Sequence, residues 1–194
     1  MTAQRSTSRD LALIAIFAGV MAALGLVPAI YLPLTPVPIT AQSFGVMLTG
    51  AILGGRRAAA SMTLFLGLVA IGLPLLAGGR GTIGVFAGPS VGFLLGWIVV
   101  AWLIGVLTAR AGAPYRLPAG IGINLLGGVI VLYAFGIVGM LLRTQMTVPA
   151  AVLANAPYIP GDIVKAVLAA VIAKGVHTAY PGLLRVRRPA RARA

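Results

Sequence analysis

Six apolar runs, separated by short breaks rich in arginine, glycine and proline, organise this chain of 194 residues. The runs cover about residues 11–27, 40–53, 58–76, 91–108, 118–142 and 158–174. An α-helix of about 20 predominantly apolar residues is long enough to cross the hydrocarbon core of a bilayer. The pattern therefore predicts an all-α integral membrane protein with six transmembrane helices.

The composition supports a single membrane domain over residues 1–194. Hydrophobic residues make up 60% of the chain and charged residues only 9%, whereas a soluble domain carries about 25% charged residues. We expect a tail at residues 1–9, a six-helix core at 10–176 and a basic tail at 181–194.

The formal net charge is +13, and the basic residues are distributed unequally between the two sides of the membrane that the six runs predict. With six spans, both terminal tails and the loops near 54–57 and 109–117 share one side of the membrane. That side holds twelve basic residues: Arg5, Arg9, Arg56, Arg57, Arg110, Arg116, Lys174, Arg185, Arg187, Arg188, Arg191 and Arg193. The other side holds Arg80 and Arg143. The positive-inside rule therefore predicts a plasma-membrane protein with both termini in the cytoplasm. Nucleic-acid binding is not expected, because no basic stripe has interleaved aromatic residues.

The last run contains the charged pair Asp162 and Lys165 in the segment YIPGDIVK. A charge inside a membrane helix costs about 2.5 to 3.5 kcal/mol on insertion scales, so such a residue indicates a functional site. Pro160 and Gly161 favour a helix start, which places Asp162 where the helix dipole stabilises an anion. Lys165 follows three residues later on the same face. The alternative is that the two charges only satisfy each other.

Other polar features are predicted to lie at the same end of the helices. The proline-rich stretch 31–40 is either a connector or a stiff lid over a cavity, since proline excludes a helix interior. The glycine-rich stretch 77–84 predicts a tight turn, in which Arg80 is either an interfacial residue or the partner of an anionic ligand group. Tyr133 and Asn124 are expected to bond between helices, and Tyr133 could also contact a ligand. These features converge on one outer mouth, as in a capture site for a solute.

Several chemistries are not expected. A metal site would need more than His177, Asp10 and Asp162, which lie on opposite sides of the membrane. No histidine is within reach of the outer mouth for nucleophilic catalysis, and no G-x-x-x-x-G-K-[ST] motif for ATP occurs. A binding protein for a small amphipathic solute, without cofactor or metal, is the favoured interpretation. A small intramembrane enzyme using Asp162 as acid or base, or a purely structural subunit, are the alternatives.

Three motifs stand out: P-V-P-I-T at 36–40 followed by Gln42, A-G-G…G-P at 77–89, and I-P-G-D-x-x-K at 159–165. Together they resemble the BioY family, the biotin-specific S components of energy-coupling-factor (ECF) transporters. The resemblance implies a six-helix S-component fold that binds biotin near the outer surface. Asp162 and Lys165 would contact the ureido ring, while Thr40 and Gln42 would lie at the lid.

Tyr158, directly before the last motif, joins Tyr133 and Arg80 among the candidate substrate-binding residues. The resemblance also names partners. The small-residue line Ala15, Gly19 and Ala23 on the first helix would dock the transmembrane coupling protein, although glycine replaces the expected central alanine. Uptake would then require this protein and its ATPases, or self-association. An S component for another vitamin is a further alternative.

Overall fold

The computed structural model describes residues 2–183, with side chains for residues 7–182. Its helices are α1 (Thr2–Gly25), α2 (Gln42–Leu53), α3 (Gly55–Ala70), α4 (Val91–Ala111), α5 (Leu117–Arg143), α6 (Val148–Ala154) and α7 (Ile159–Ala179). Helix α5 includes a π-helical segment, Leu126–Val131. Six of these helices correspond to the six predicted spans, and the short α6 lies in the loop before α7.

Within the described residues, three helices are long and apolar enough to cross a membrane: α1, α4 and α5. Helices α2 and α3 have 12 and 16 residues. Helix α7 has 21 residues but carries Asp162, Lys165 and Lys174. Asp162 and Lys165 are the charges on which the predicted functional site of α7 depends.

Several predicted boundaries are wrong. Helix α1 begins at Thr2 rather than near Leu11, because neither proline nor glycine interrupts residues 2–10. Helix α3 begins directly after Gly54 and ends at Ala70, six residues before the predicted end, where Gly72 adopts a φ of 115° and Pro74 follows. The arginines of the predicted basic tail, at 185–193, lie outside the described residues, as does the side chain of Arg5.

Glycine and alanine allow the helices to approach closely. A Cβ added at Gly92 would lie 2.0 Å from the carbonyl oxygen of Phe135, so only glycine lets α4 contact α5 there. On α7, Ala166, Ala169 and Ala173 are fully buried. The Nδ2 of Asn124 donates to the Ala166 carbonyl at 3.1 Å, which confirms the expected interhelical bond and joins α5 to α7.

Two loops meet at the end of the bundle where α2, α4 and α7 begin. In the proline-rich loop, Ile30 and Ile39 pair through two backbone hydrogen bonds of 2.9 Å. In the glycine-rich loop, Leu76 and Arg80 pair in the same way at 3.0 and 3.1 Å. The tight turn between them is confirmed by positive φ angles of 81° at Gly78 and 68° at Gly79, a conformation that favours glycine.

Candidate ligand-binding site

A cavity lies between these two loops and the N-terminal parts of α2, α4 and α7, and the empty space in it, including the part open to solvent, is about 550 Å³. Its apolar wall includes Leu76, Phe93, Leu94, Trp97 and Leu132. Its polar side includes Thr40, Gln42, Ser43, Arg80, Ser90, Tyr158, Asp162 and Lys165. The arrangement suits a ligand with an apolar body and polar groups at its ends.

Asp162 lies in the first turn of α7 and is only 4% exposed. Its Oδ1 accepts hydrogen bonds from Lys165 Nζ at 2.8 Å and from Ser43 Oγ at 3.2 Å. Its Oδ2 accepts one from Tyr133 Oη at 2.8 Å. Both oxygens therefore have partners, as a buried carboxylate requires.

Lys165 joins α7 to the start of α2. Its Nζ donates to Asp162, to the Thr40 carbonyl at 2.9 Å and to Ser43 Oγ at 3.0 Å. An ammonium group has three N–H donors, so each has an acceptor within the protein. Together with Tyr133, the pair is thus part of a network of five residues, four of which line the cavity.

The two candidate tyrosines contribute to the site in different ways. Tyr133 does not line the cavity, but it holds the carboxylate of Asp162 from the α5 side. Tyr158 lines the cavity, and its Oη forms hydrogen bonds with the Thr35 hydroxyl and with the Val37 carbonyl, the latter at 2.6 Å. Tyr158 therefore fastens the proline-rich loop to the start of α7.

The two residues expected at the lid contribute differently. Thr40 lines the cavity, and its carbonyl binds Lys165. Gln42 also borders the cavity, but its side-chain amide binds backbone groups of Met21, Leu75 and Ala77. A direct contact between Gln42 and a ligand remains a prediction from the sequence.

Arg80 is the second cationic side chain at the cavity. Its Nε donates to the Ala77 carbonyl at 3.2 Å. Within residues 7–182, the ion pairs are Asp162 with Lys165 and Asp10 with Arg57. The charge of Arg80 thus has no carboxylate partner in that part of the chain.

Sequence reasoning missed Ser43, Phe93 and Trp97 as site residues. Ser43 follows Gln42 directly, and its position in the first turn of a helix beside the proline-rich loop was a usable signal. Phe93 and Trp97 are four residues apart, so they lie on one face of α4, but an aromatic pair at this spacing is equally typical of core packing. By contrast, Ala15, Gly19 and Ala23 are exposed on α1 and none of them lines the cavity.

At the opposite end of α7, a second concave surface is bordered by Tyr115, Lys174 and His177. His177 shares a hydrogen bond of 2.9 Å with the Ala51 carbonyl of α2, and its ring stacks on Tyr115 at 5.1 Å between centroids. Burial raises the pKa of the Tyr115 phenol to about 12. These contacts tie α7 to its neighbours at the end away from the cavity.

A family model described as the BioY family matches residues 1–182. The chain belongs to the BioY family. A protein named biotin transporter BioY from Rhizobium etli is 44% identical over 192 residues, covering 96% of this chain and all of that protein. A protein of the same name from Rhodobacter capsulatus is 46% identical over 189 residues, covering 92% of this chain and 98% of its own length.

The BioY assignment agrees with the fold. The crystal structure of the S-component for biotin from an ECF-type ABC transporter matches with a TM-score of 0.86 and 31% identity, covering 90% of this chain and 93% of that one. The predicted six-helix S-component fold and the predicted family are thus confirmed. The relatives are named as transporters, which favours a transport protein over the enzyme considered as an alternative.

Proposed function

We propose that this protein takes up biotin, which it binds in the cavity between the proline-rich loop, the glycine-rich loop and α7. The proposal is supported by full-length relatives named biotin transporters. The observation that carries it is the pair of Asp162 and Lys165 at the polar side of the cavity, opposite its apolar wall. One carboxylate and one ammonium group match the N–H donors and the carbonyl acceptor of a ureido ring.

In this proposal, each part of biotin has a counterpart in the cavity. The ureido N–H groups donate to Asp162, and the ureido oxygen accepts from Lys165. The apolar bicycle packs against Trp97 and Phe93. The carboxylate of the valerate chain pairs with Arg80, whose guanidinium retains free donors in the described structure. Tyr133 holds the carboxylate of Asp162 in position. Tyr158 and Thr40 hold the proline-rich loop, which forms the lid.

Delivery across the membrane would depend on a partner. The line of Ala15, Gly19 and Ala23 is exposed, and small residues allow close helix packing in lipid. We assign it to the transmembrane coupling protein that works with ATPases, with self-association as the alternative. Gly19→Phe tests this surface, because no atom lies within 4 Å of a Cβ added there. The variant should retain biotin binding but lose copurification with the coupling protein, and unchanged copurification would contradict the assignment.

The orientation is part of the same proposal. The protein lies in the plasma membrane with both termini in the cytoplasm, and the cavity opens to the outside of the cell. The chain contains no cysteine, so single cysteines introduced near residue 4 and near residue 146 can be labelled with a membrane-impermeant maleimide in intact cells. We expect labelling only of the cysteine near residue 146. Labelling only of the cysteine near residue 4 would show that the protein has the opposite orientation.

Equilibrium binding of labelled biotin to purified protein in detergent tests the substrate and the site together. We expect tight binding by the parent and a loss of at least about tenfold in Asp162→Asn, since a charge-assisted hydrogen bond contributes about 1.5 to 3 kcal/mol. The matched control is Asp10→Asn, which changes the other acidic residue of the chain. A folded parent that binds no biotin, but is protected from thermal unfolding by another vitamin, would favour the alternative S component.

A further inference from the structure

The side chain of Gln42 connects three separate segments around the cavity. It is 1% exposed. Its Nε2 donates to the Met21 carbonyl of α1 at 3.1 Å and to the Leu75 carbonyl at 3.0 Å. Its Oε1 accepts from the backbone N–H of Ala77 at 3.1 Å. Both donors of the amide and one of its acceptor sites are thus used by backbone groups.

The third of these bonds leads directly to Arg80. Ala77 accepts a hydrogen bond from the Arg80 Nε through its carbonyl and donates to Gln42 through its N–H. Leu76, the preceding residue, pairs with the backbone of Arg80. The tight turn that carries Arg80 is therefore joined at its base to the buried amide of Gln42.

The C-terminal end of α1 packs closely against Leu75 and Gln42. A Cβ added at Gly25 would lie 2.1 Å from the Leu75 carbonyl oxygen and 3.1 Å from the Nε2 of Gln42. Only glycine permits this approach, so α1, Gln42 and the glycine-rich loop form one close junction. The hydrogen-bonding pattern of the junction requires a primary amide, which supplies two donors and an acceptor together.

We propose that Gln42 is a positioning residue that holds Arg80 toward the anionic end of the ligand, rather than a residue that touches the ligand. The inference rests on the proposed function, in which Arg80 pairs the carboxylate of biotin. Gln42 then determines selectivity for a carboxylate through the rigidity of the turn. The same amide gives α1 a direct link to the ligand site through the Met21 carbonyl.

A pair of ligands that differ only in charge separates positioning from structural support. Biotin carries a carboxylate and biotinamide a neutral amide at the same position. Arg80→Gln should weaken biotin binding by about 10- to 100-fold and biotinamide binding by less than about threefold, since only the charge-assisted bond is lost. Gln42→Met, which keeps the length of the side chain but removes the amide, should reduce the preference for biotin over biotinamide by about 5- to 10-fold.

Two further comparisons define the result. Combining Gln42→Met with Arg80→Gln should reduce the preference no further than Arg80→Gln alone, because both changes remove the same interaction. Asn124→Leu is the matched control: it also removes a buried amide that bonds to a backbone carbonyl, and it should lower thermal stability without changing the preference. Should Gln42→Met fail to fold, Gln42→Asn, which keeps the amide on a shorter side chain, carries the same test.

The outcomes are distinguishable from failure of the proposed function. An equal loss of both ligands in Gln42→Met, or an unchanged preference, overturns the positioning role while Arg80→Gln still shows the carboxylate contact. A preference that survives Arg80→Gln overturns the Arg80 assignment and this inference with it, while biotin binding by the parent stands. A parent that binds neither ligand removes the proposed function itself.

Discussion

Replacing both Asp162 and Lys165 distinguishes two hypotheses: that the ion pair only stabilises the fold, and that it binds the ligand. Lys165→Met alone leaves the carboxylate of Asp162, which is 4% exposed, without a cation. Removing one partner of a buried ion pair costs about 3 to 5 kcal/mol, because the remaining charge is buried and unpaired. Lys165 itself is 17% exposed at its side chain, so we expect the lower end of that range.

The double variant Asp162→Asn with Lys165→Met should recover most of this loss of stability. It leaves no charge at positions 162 and 165, and the replacing amide oxygen can still accept the hydrogen bond of Tyr133. Replacing both members of a buried pair by neutral groups is often nearly neutral for stability. Biotin binding, however, should fall by at least about 100-fold, because two charge-assisted bonds of about 1.5 to 3 kcal/mol each are lost.

The assay measures the thermal midpoint and the affinity for labelled biotin on the same purified samples in detergent. The second ion pair supplies the control, since Arg57 and Asp10 lie 2.7 Å apart with side chains 36% and 38% exposed. Exposed pairs contribute little, so the corresponding double variant should change neither quantity measurably. A double variant at Asp162 and Lys165 that is stable and binds biotin within a few-fold of the parent would refute the site assignment.

Three other predictions follow from single contacts. Tyr158→Phe removes the hydroxyl that holds the Val37 carbonyl, so biotin should dissociate about fivefold faster, as expected for loss of about 1 kcal/mol; release of labelled biotin measures this. Gly92→Ala places a Cβ 2.0 Å from the Phe135 carbonyl oxygen and should lower stability by about 1 to 3 kcal/mol, measured by thermal unfolding. Tyr115 has a pKa raised to about 12 by burial, whereas the unfolded chain ionises near about 10, so the parent should lose stability relative to Tyr115→Phe as pH rises from 10 toward 12.

Each of these has an outcome that contradicts it. An unchanged release rate in Tyr158→Phe would mean that the proline-rich loop does not control dissociation. For Gly92→Ala the control is Gly67→Ala in α3, where no atom lies within 4 Å of an added Cβ; equal effects would contradict the close approach of α4 and α5. For Tyr115, thermal midpoints of parent and variant that stay parallel between pH 8 and pH 11 would contradict the burial of the phenol.

The charged pair could be predicted from sequence, because a carboxylate and an ammonium group in an apolar run are costly wherever the run folds. The partners of that pair could not. Ser43 and Tyr133 lie 119 and 29 residues from Asp162 along the chain, and nothing in local spacing indicates which residue of another helix will face it. Tyr133 was therefore predicted only conditionally, and Ser43 was missed.

Gln42 shows a different limit of sequence reasoning. Its place beside the proline-rich loop suggested a lid residue, but the direction of its amide depends on Gly25 and on the turn at 77–79. Both are tertiary features, since Gly25 matters only through the close approach of the Leu75 carbonyl. The predicted boundary between α2 and α3 was wrong for a simpler reason. Gly54 alone separates the two helices, so the two arginines after it belong to a helix rather than to a loop.

Binding of a ureido oxygen to Lys165 must replace a hydrogen bond rather than add one. The three donors of Lys165 already bond to Asp162, Thr40 and Ser43. Giving up the Ser43 hydroxyl leaves the fewest groups unpaired, because that hydroxyl also donates to Asp162 and lies 3.4 Å from the Thr40 carbonyl. Ser43→Ala removes the competing acceptor, so we expect biotin affinity to stay within about threefold of the parent, in contrast to the large loss at Asp162. A loss of 50-fold or more in equilibrium binding would instead show that the serine hydroxyl itself contacts the ligand.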